Sequence, residues 1–377
     1  MWWEWIARVV GVVLALAVGE DIFYTVLFPG SGRGVLSVSL GRGVWRLFRL
    51  AARAAPRRRE RLFAYSGPVL VTATVVAWVL LLATGFAFID WPAMGSAIRA
   101  SSGPTPTGFA TALYYSAYAL TTLGTGDIVA KTDLYRLLMV LEAALGFSTI
   151  TLILTYFLSV YSALTRRDTF ALSLQYRAAG TGDAAELLAR LGPGGDFGGA
   201  TQTVGDVAMS VLSVMTSHRA YPILRYFHFR HTYDALPRLL LVALDLAALI
   251  ESALDADQYR TLVDSAAVAE LRDGGLYVLN ELATTFLPAG QPRHPSMPEQ
   301  AWRARYDRAV TRLQAAGIAT TPDHEAGVRR YVALRRAWDP RIAALAAYLV
   351  YDWDAIAPAD RDAGGQGDRA GHGAASS

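Results

Sequence analysis

Residues 65–89 (YSGPVLVTATVVAWVLLLATGFAFI) run for 25 positions without a charged side chain. As a helix such a stretch reaches about 37 Å, more than the ~30 Å hydrocarbon core of a bilayer. The chain therefore reads as a membrane protein. Two more stretches are long enough to span. Trp5–Phe28 is interrupted by Glu20 and Asp21, and Leu134–Leu164 carries Arg136 and Glu142 near its start. Only 18% of the 377 residues are charged, against about 25% in soluble chains. The first stretch opens on Glu4 rather than on a basic region, so it reads as a span and not as a cleaved signal. Cysteine is absent, which excludes disulfides, thiolate metal sites and cysteine nucleophiles.

The distribution of arginine sets the expected orientation. Residues 29–61 hold nine arginines and one acid, Glu60, and Arg166-Arg167 follow the third span. Basic loops stay on the cytoplasmic side. Three spans then place the N-terminus outside and the C-terminus in the cytoplasm of a cell inner (plasma) membrane protein. Nucleic-acid binding would need a basic folded domain, whereas this basic run lies between apolar stretches. Arg42, Arg46, Arg49 and Arg53 share a helical face, beside Trp45, Leu47, Phe48 and Leu50. That pattern fits an interfacial helix on anionic lipid better than a voltage sensor. Glu20 and Asp21 are read either as functional intramembrane carboxylates or as an interfacial pair neutralised by the following arginines.

Between the second and third spans lies FATALYYSAYALTTLGTGDI, residues 109–128. Its aromatic first part is too short to cross a bilayer and suits a re-entrant helix. The glycine- and threonine-rich end leaves backbone groups unpaired, which membrane depth tolerates only along a polar path. Gly124 and Gly126 permit positive φ angles. Carbonyls turned to one side can replace an ion's water shell, and the partly negative C-terminal end of the preceding helix favours a cation.

In this arrangement the segment resembles the pore module of the potassium channel superfamily. The family filter is TVGYG followed by Asp. Thr122, Leu123, Gly124, Thr125, Gly126 and Asp127 occupy those places, and Thr121 matches the threonine that precedes them. Ala112-Leu113-Tyr114-Tyr115-Ser116 matches the A-L-Y-x-S of the pore helix. The resemblance covers about residues 62–165 and implies ion coordination by Thr121–Gly126, bracing of the outer mouth by Asp127, and a gating hinge at Gly146. Thr125 departs from it, standing where the family has an aromatic ring that packs against the pore helix. Tyr114, Tyr115 or Tyr118 would have to fill that gap, and strict potassium selectivity depends on it. One filter per chain implies a homotetramer with cyclic symmetry, since the ion needs about four copies around it. Glu142, one turn before Gly146, is expected either to face the pore helix and bond Tyr118 or to line the cavity.

The expected fold is an all-α membrane protein: three transmembrane helices, a re-entrant pore helix with a selectivity filter, and an α-helical cytoplasmic C-terminal domain. The divisions are 1–28, an N-terminal span; 29–61, basic and interfacial; 62–165, the pore domain; 166–357, the cytoplasmic domain; and 358–377, a disordered tail. Helices are expected at Ala184–Leu191, Thr203–Ser217, Leu236–Leu254, Tyr259–Leu287, Glu299–Ala316 and Glu325–Ile356. Leu236–Leu254 is apolar enough to suggest a fourth span. A central Asp245 would cost about 2.5–3.5 kcal/mol there, so it reads as a buried helix of a soluble bundle. His228 and His231 could share a helix face, although packing suits them better than a metal. No catalytic constellation, P-loop or dinucleotide fingerprint occurs, so an enzyme is not expected. The functional expectation is passive potassium transport, with K+ the transported ion and no cofactor. A non-selective monovalent cation channel is the nearest alternative. A membrane-anchored regulatory or binding module with a vestigial pore is the alternative of another class, and any ligand of the C-terminal domain is left open.

Overall fold

The computed structural model describes residues 2–28, 34–55, 59–229, 231–287 and 298–357. The chain divides into two compact units, Met1–Arg166 with Thr216–Arg230, and Arg167–Met215 with His231–Ser377.

In the first unit α1 (Trp2–Ile22) ends in a π-helical turn, Phe23–Leu27. It is followed by α2 (Val35–Ala54), α3 (Arg59–Ala64) and α4 (Ser66–Asp90). Then come β1 (Ile98–Ala100), α5 (Phe109–Leu120), β2 (Ile128–Ala130) and α6 (Asp133–Arg177), whose end from Arg167 onward belongs to the second unit. Among the described residues three helices are long and apolar enough to cross a membrane: Trp2–Leu27, Ser66–Ala93 and Asp133–Arg177. α6 runs 13 residues beyond the expected Leu164, because no helix breaker follows until Ala179 (φ 54°) and Gly180 (φ 79°). The short antiparallel pair β1–β2, with Ile98 opposite Ala130, is a departure from the all-helical expectation.

α1 and α4 touch through small residues. A Cβ on Gly11 would lie 2.4 Å from the Gly85 carbonyl, so only glycine permits this approach. Asp21 ties α1 to α2. It is 3% exposed and accepts from the backbone N–H of Leu36 (2.9 Å) and of Ser37, and from the Trp78 indole (2.8 Å). The carboxylate thus satisfies orphan donors at the start of α2, as a helix cap does. Glu20 is exposed. The two acids therefore have different surroundings, and Asp21 is engaged by backbone and indole rather than by the arginines. α2 buries Gly41, Trp45 and Ala52 and leaves Arg42, Arg46, Arg49 and Arg53 exposed.

The second unit holds α7 (Ala184–Leu191), α8 (Ala200–Ala220, whose last turn belongs to the first unit), α9 (Leu236–Ala253), α10 (Arg260–Val263), α11 (Ala266–Phe286), α12 (Glu299–Ala315), α13 (His324–Tyr348) and α14 (Trp353–Ile356). Two expected helices are broken. Ser265 accepts from the Val268 N–H and starts α11 afresh, splitting 259–287. Val350 at φ 67° ends α13, and Asp352 caps α14, splitting 325–356. Phe227–Phe229 is not helical, so His228 and His231 share no helix face; the rings pack on Phe63 and Tyr233 respectively. The expected tail 358–377 and most of the loop 289–298 lie outside the described residues.

Every residue of α9 is buried. Asp245 at its centre accepts from Arg305 (2.7 and 3.0 Å), Tyr331 (2.6 Å) and Arg335 (2.8 Å). Burial pushes its carboxyl up, but the Arg305 and Arg335 guanidiniums and the Tyr331 hydroxyl outweigh it and hold it below the usual range. A charge this well paired belongs to a helical core, which is why α9 is not a span.

Candidate functional site: the re-entrant helix and its glycine-rich return

α5 has 12 residues, about 18 Å of helix, which covers little more than half of a bilayer core. Its N-terminal end is held by rings: Trp91 meets Phe109 at 5.3 Å, and the Trp91 indole donates to the Thr107 carbonyl at 3.1 Å. At the other end the Thr122 N–H bonds the Ala119 carbonyl (3.1 Å) and the Leu123 N–H bonds the Tyr118 carbonyl (3.0 Å). These two bonds form a Schellman closure, with Thr122 in the left-handed position at φ 55°. A β-branched residue is costly there, so the surrounding structure must hold it in place.

The positive φ recurs at every second residue: Thr122 at 55°, Gly124 at 62° and Gly126 at 73°, with Leu123 and Thr125 on the ordinary side. Alternation of left- and right-handed residues gathers successive N–H groups on one side of a strand and leaves the carbonyls on the other. Residues 121–127 are all exposed in the single chain.

The return of this strand is fastened at several points. The Tyr118 hydroxyl donates to the Ile128 carbonyl. The Asp127 carbonyl accepts from the Ser101 N–H at 2.7 Å, and Ile128 enters the β1–β2 pair. The Thr125 hydroxyl donates to Asp127 Oδ1 at 2.6 Å, and the Tyr114 hydroxyl lies 3.2 Å from Thr125 Oγ1 and 3.3 Å from Asp127 Oδ1. At position 125, then, a hydroxyl cluster with Tyr114 occupies the space beside the pore helix. Tyr115 does not reach the strand; its hydroxyl is buried and has no hydrogen-bond partner among the described residues.

Behind α5 lies a carboxyl group that the sequence left between two positions. Glu142 is fully buried, so it faces the pore helix rather than a cavity, and its Oε1 lies 2.5 Å from Ser116 Oγ. Its partner is Ser116, not Tyr118. Ser116 also donates to the Ala83 carbonyl of α4 at 2.9 Å. Asp90, the last residue of α4, is 1% exposed and interacts electrostatically with Glu142. The burial of Asp90 depends on which face of α4 meets the pore helix, and its position directly after a charge-free span does not show that. Gly146 lets α6 pass against the end of α5, since a Cβ there would stand 2.0 Å from the Leu120 carbonyl oxygen. Further along α6, Thr151, Thr155 and Ser159 form a hydroxyl stripe, each bonding the carbonyl four residues back at about 3 Å. Ser162 continues it and accepts from Arg166 at 2.8 Å.

The comparisons with known proteins come from two directions. A Bacillus subtilis (strain 168) protein named "Uncharacterized membrane protein YdjJ" is 27% identical over 223 residues, 58% of this chain. The match spans 62% of that protein's length and is longer than the pore segment alone. No solved structure matches. Residues 70–163 match the family described as "Ion channel", which encloses the re-entrant helix, the alternating strand and most of the flanking helices, so this segment is an ion-channel pore module set within a larger membrane protein.

Proposed function

We propose that four copies of the chain surround one axis and conduct potassium passively across the membrane. The observation that carries this reading is the alternation of positive φ at Thr122, Gly124 and Gly126 along a strand that one chain leaves wholly exposed. Four such strands facing one another would line a path with rings of oxygens able to replace a monovalent cation's hydration shell. In this reading Thr121, Thr122, Leu123, Gly124, Thr125 and Gly126 hold the ion. Asp127 with Tyr114 and Tyr118 braces the outer turn, and the hydroxyl stripe of α6 borders the cavity below. Gly146 couples α6 to the filter, as a hinge or as a close contact. The basic end of the bundle lies in the cytoplasm with the C-terminal unit, and α2 rests on anionic lipid.

Thr125 favours keeping a second reading, the non-selective cation channel, because a hydrogen-bonded hydroxyl cluster can adapt to a smaller ion more readily than a packed ring. One measurement separates the two. With equal potassium and sodium on opposite sides of a bilayer holding the purified protein, a reversal potential displaced toward the potassium limit supports potassium selectivity. A potential near zero supports the non-selective reading. No cation flux at all would remove both.

A further inference from the structure

A pocket opens in the first unit where the π-helical end of α1, the start of α2, the first turns of α4 and the middle of α6 converge with residues 220–226. Its wall is largely apolar and aromatic: Tyr24, Leu70, Tyr156, Ile223 and Tyr226 contribute, and one cation, Arg225, joins them. Arg225 lies over the Tyr226 ring at 4.9 Å, and its Nε is buried without a hydrogen-bond partner among the described residues. The acid beside this wall cannot serve it. Asp21 is already occupied by the Leu36 and Ser37 N–H groups, the Ser37 hydroxyl and the Trp78 indole. A guanidinium whose buried Nε has no partner among the described residues, set in the wall of an apolar slot, asks for an anion attached to an apolar body.

The pocket's surroundings narrow the choice. It lies at the end of the helices that carries the basic segment, directly under the N-terminal turns of α2. α2 exposes Arg42, Arg46, Arg49 and Arg53 alongside Val35, Leu47 and Leu50, the mixture of a helix resting in a headgroup layer. An occupant arriving from that layer would present a phosphate at the level of Arg225 and an acyl chain to the slot.

We propose that this pocket binds one anionic phospholipid, with its phosphate on Arg225 and an acyl chain between Leu70, Tyr156 and Ile223. The bound lipid touches α1, α2, α4 and α6 at once, so it holds the middle of α6 to the rest of the bundle. This inference does not depend on conduction and stands if the pore proves silent.

The test uses the full-length protein, delipidated in detergent, with native mass spectrometry as readout. Dioleoyl phosphatidylglycerol should add one molecule per chain with an affinity about tenfold above dioleoyl phosphatidylcholine, and glycerol phosphate alone should not bind. Arg225→Gln should remove the preference, while Arg225→Lys should keep it. Equal binding of the two lipids, or a preference that survives Arg225→Gln because the α2 arginines supply it, overturns the proposal. A wild-type measurement guards against a variant that fails to fold. Phosphatidylglycerol with a diazirine on its acyl chain should label Tyr156 and the peptide bearing Ile223, and labelling confined to the exposed face of α1 overturns the proposal as well.

Discussion

At position 125 a threonine stands where the family resemblance implies a ring, and the structure gives its surroundings. Thr125 hydrogen-bonds Asp127, and Tyr114 of the pore helix closes on both from 3.2 and 3.3 Å. The space a larger side chain would need is therefore taken by the Tyr114 phenol. Thr125→Tyr should overpack by about 1–3 kcal/mol and lower cation flux. The double variant Thr125→Tyr with Tyr114→Ala frees that volume and should recover flux, with a reversal potential nearer the potassium limit than wild type. Recovery by the single variant alone would show that Tyr114 does not fill the site. Gly146 offers a second discrimination. Its Cα meets the Leu120 carbonyl so closely that a methyl would lie 2.0 Å from the oxygen. If that contact is the residue's purpose, Gly146→Ala lowers both thermal stability and flux. If the glycine serves mainly as a hinge, melting stays put while flux falls.

At the scale of elements, long patterns were legible and local ones less so. The charge-free run of α4, the basic amphipathic α2 and the short aromatic α5 follow from composition and period, because each must bury or expose a whole face. The breaks at Ser265 and Asp352 were missed, although both are capping residues; an apolar period that continues across a cap hides it. The burial of Asp90 and Glu142 behind α5 could not be read, since it depends on which face of α4 and α6 meets the pore helix. The alternating φ at Thr122 was half legible: Gly124 and Gly126 advertise it, but a threonine does not. α9 is the case where one residue settled an element. Asp245 argued against a span, and its pairing with Arg305, Tyr331 and Arg335 supplies the reason. Asp245→Asn leaves two buried guanidiniums short of a partner and should cost about 3–5 kcal/mol at neutral pH, measured as denaturant stability of the full chain. Since the carboxyl is held below its usual range, that contribution is present above about pH 4 and is lost as pH falls through the folded value. The gap between variant and wild type should therefore close in acid. A gap that persists unchanged there would assign the loss to packing rather than to charge.

At the scale of the whole molecule, a single chain leaves two kinds of surface open. Phe147, Ile150, Leu154, Phe157 and Leu158 on α6 are each more than half exposed, and lipid or another helix can cover them. Residues 121–127 are exposed too, but the backbone polar groups of a bare strand find no partner in hydrocarbon. The proposed symmetric assembly around that strand would cover both, and four copies suit a monovalent cation. Light scattering of the detergent-solubilised protein should then give about four times the 40.7 kDa chain mass after the detergent is subtracted. A dimer or monomer that still conducts would overturn the single-axis arrangement. Orientation is a separate question with its own test. By the positive-inside tendency the arginines of 29–61 are expected to keep that segment in the cytoplasm, which would put the turn after α4 outside and the C-terminal unit inside. Cysteine is absent, so single cysteines report without interference. Ser102 and Gln202 are both exposed. In intact cells an impermeant thiol reagent should label Ser102→Cys and spare Gln202→Cys until the membrane is opened. Labelling of Gln202→Cys from outside, with Ser102→Cys protected, would invert the topology and move α2, its arginines and the lipid pocket to the outer leaflet.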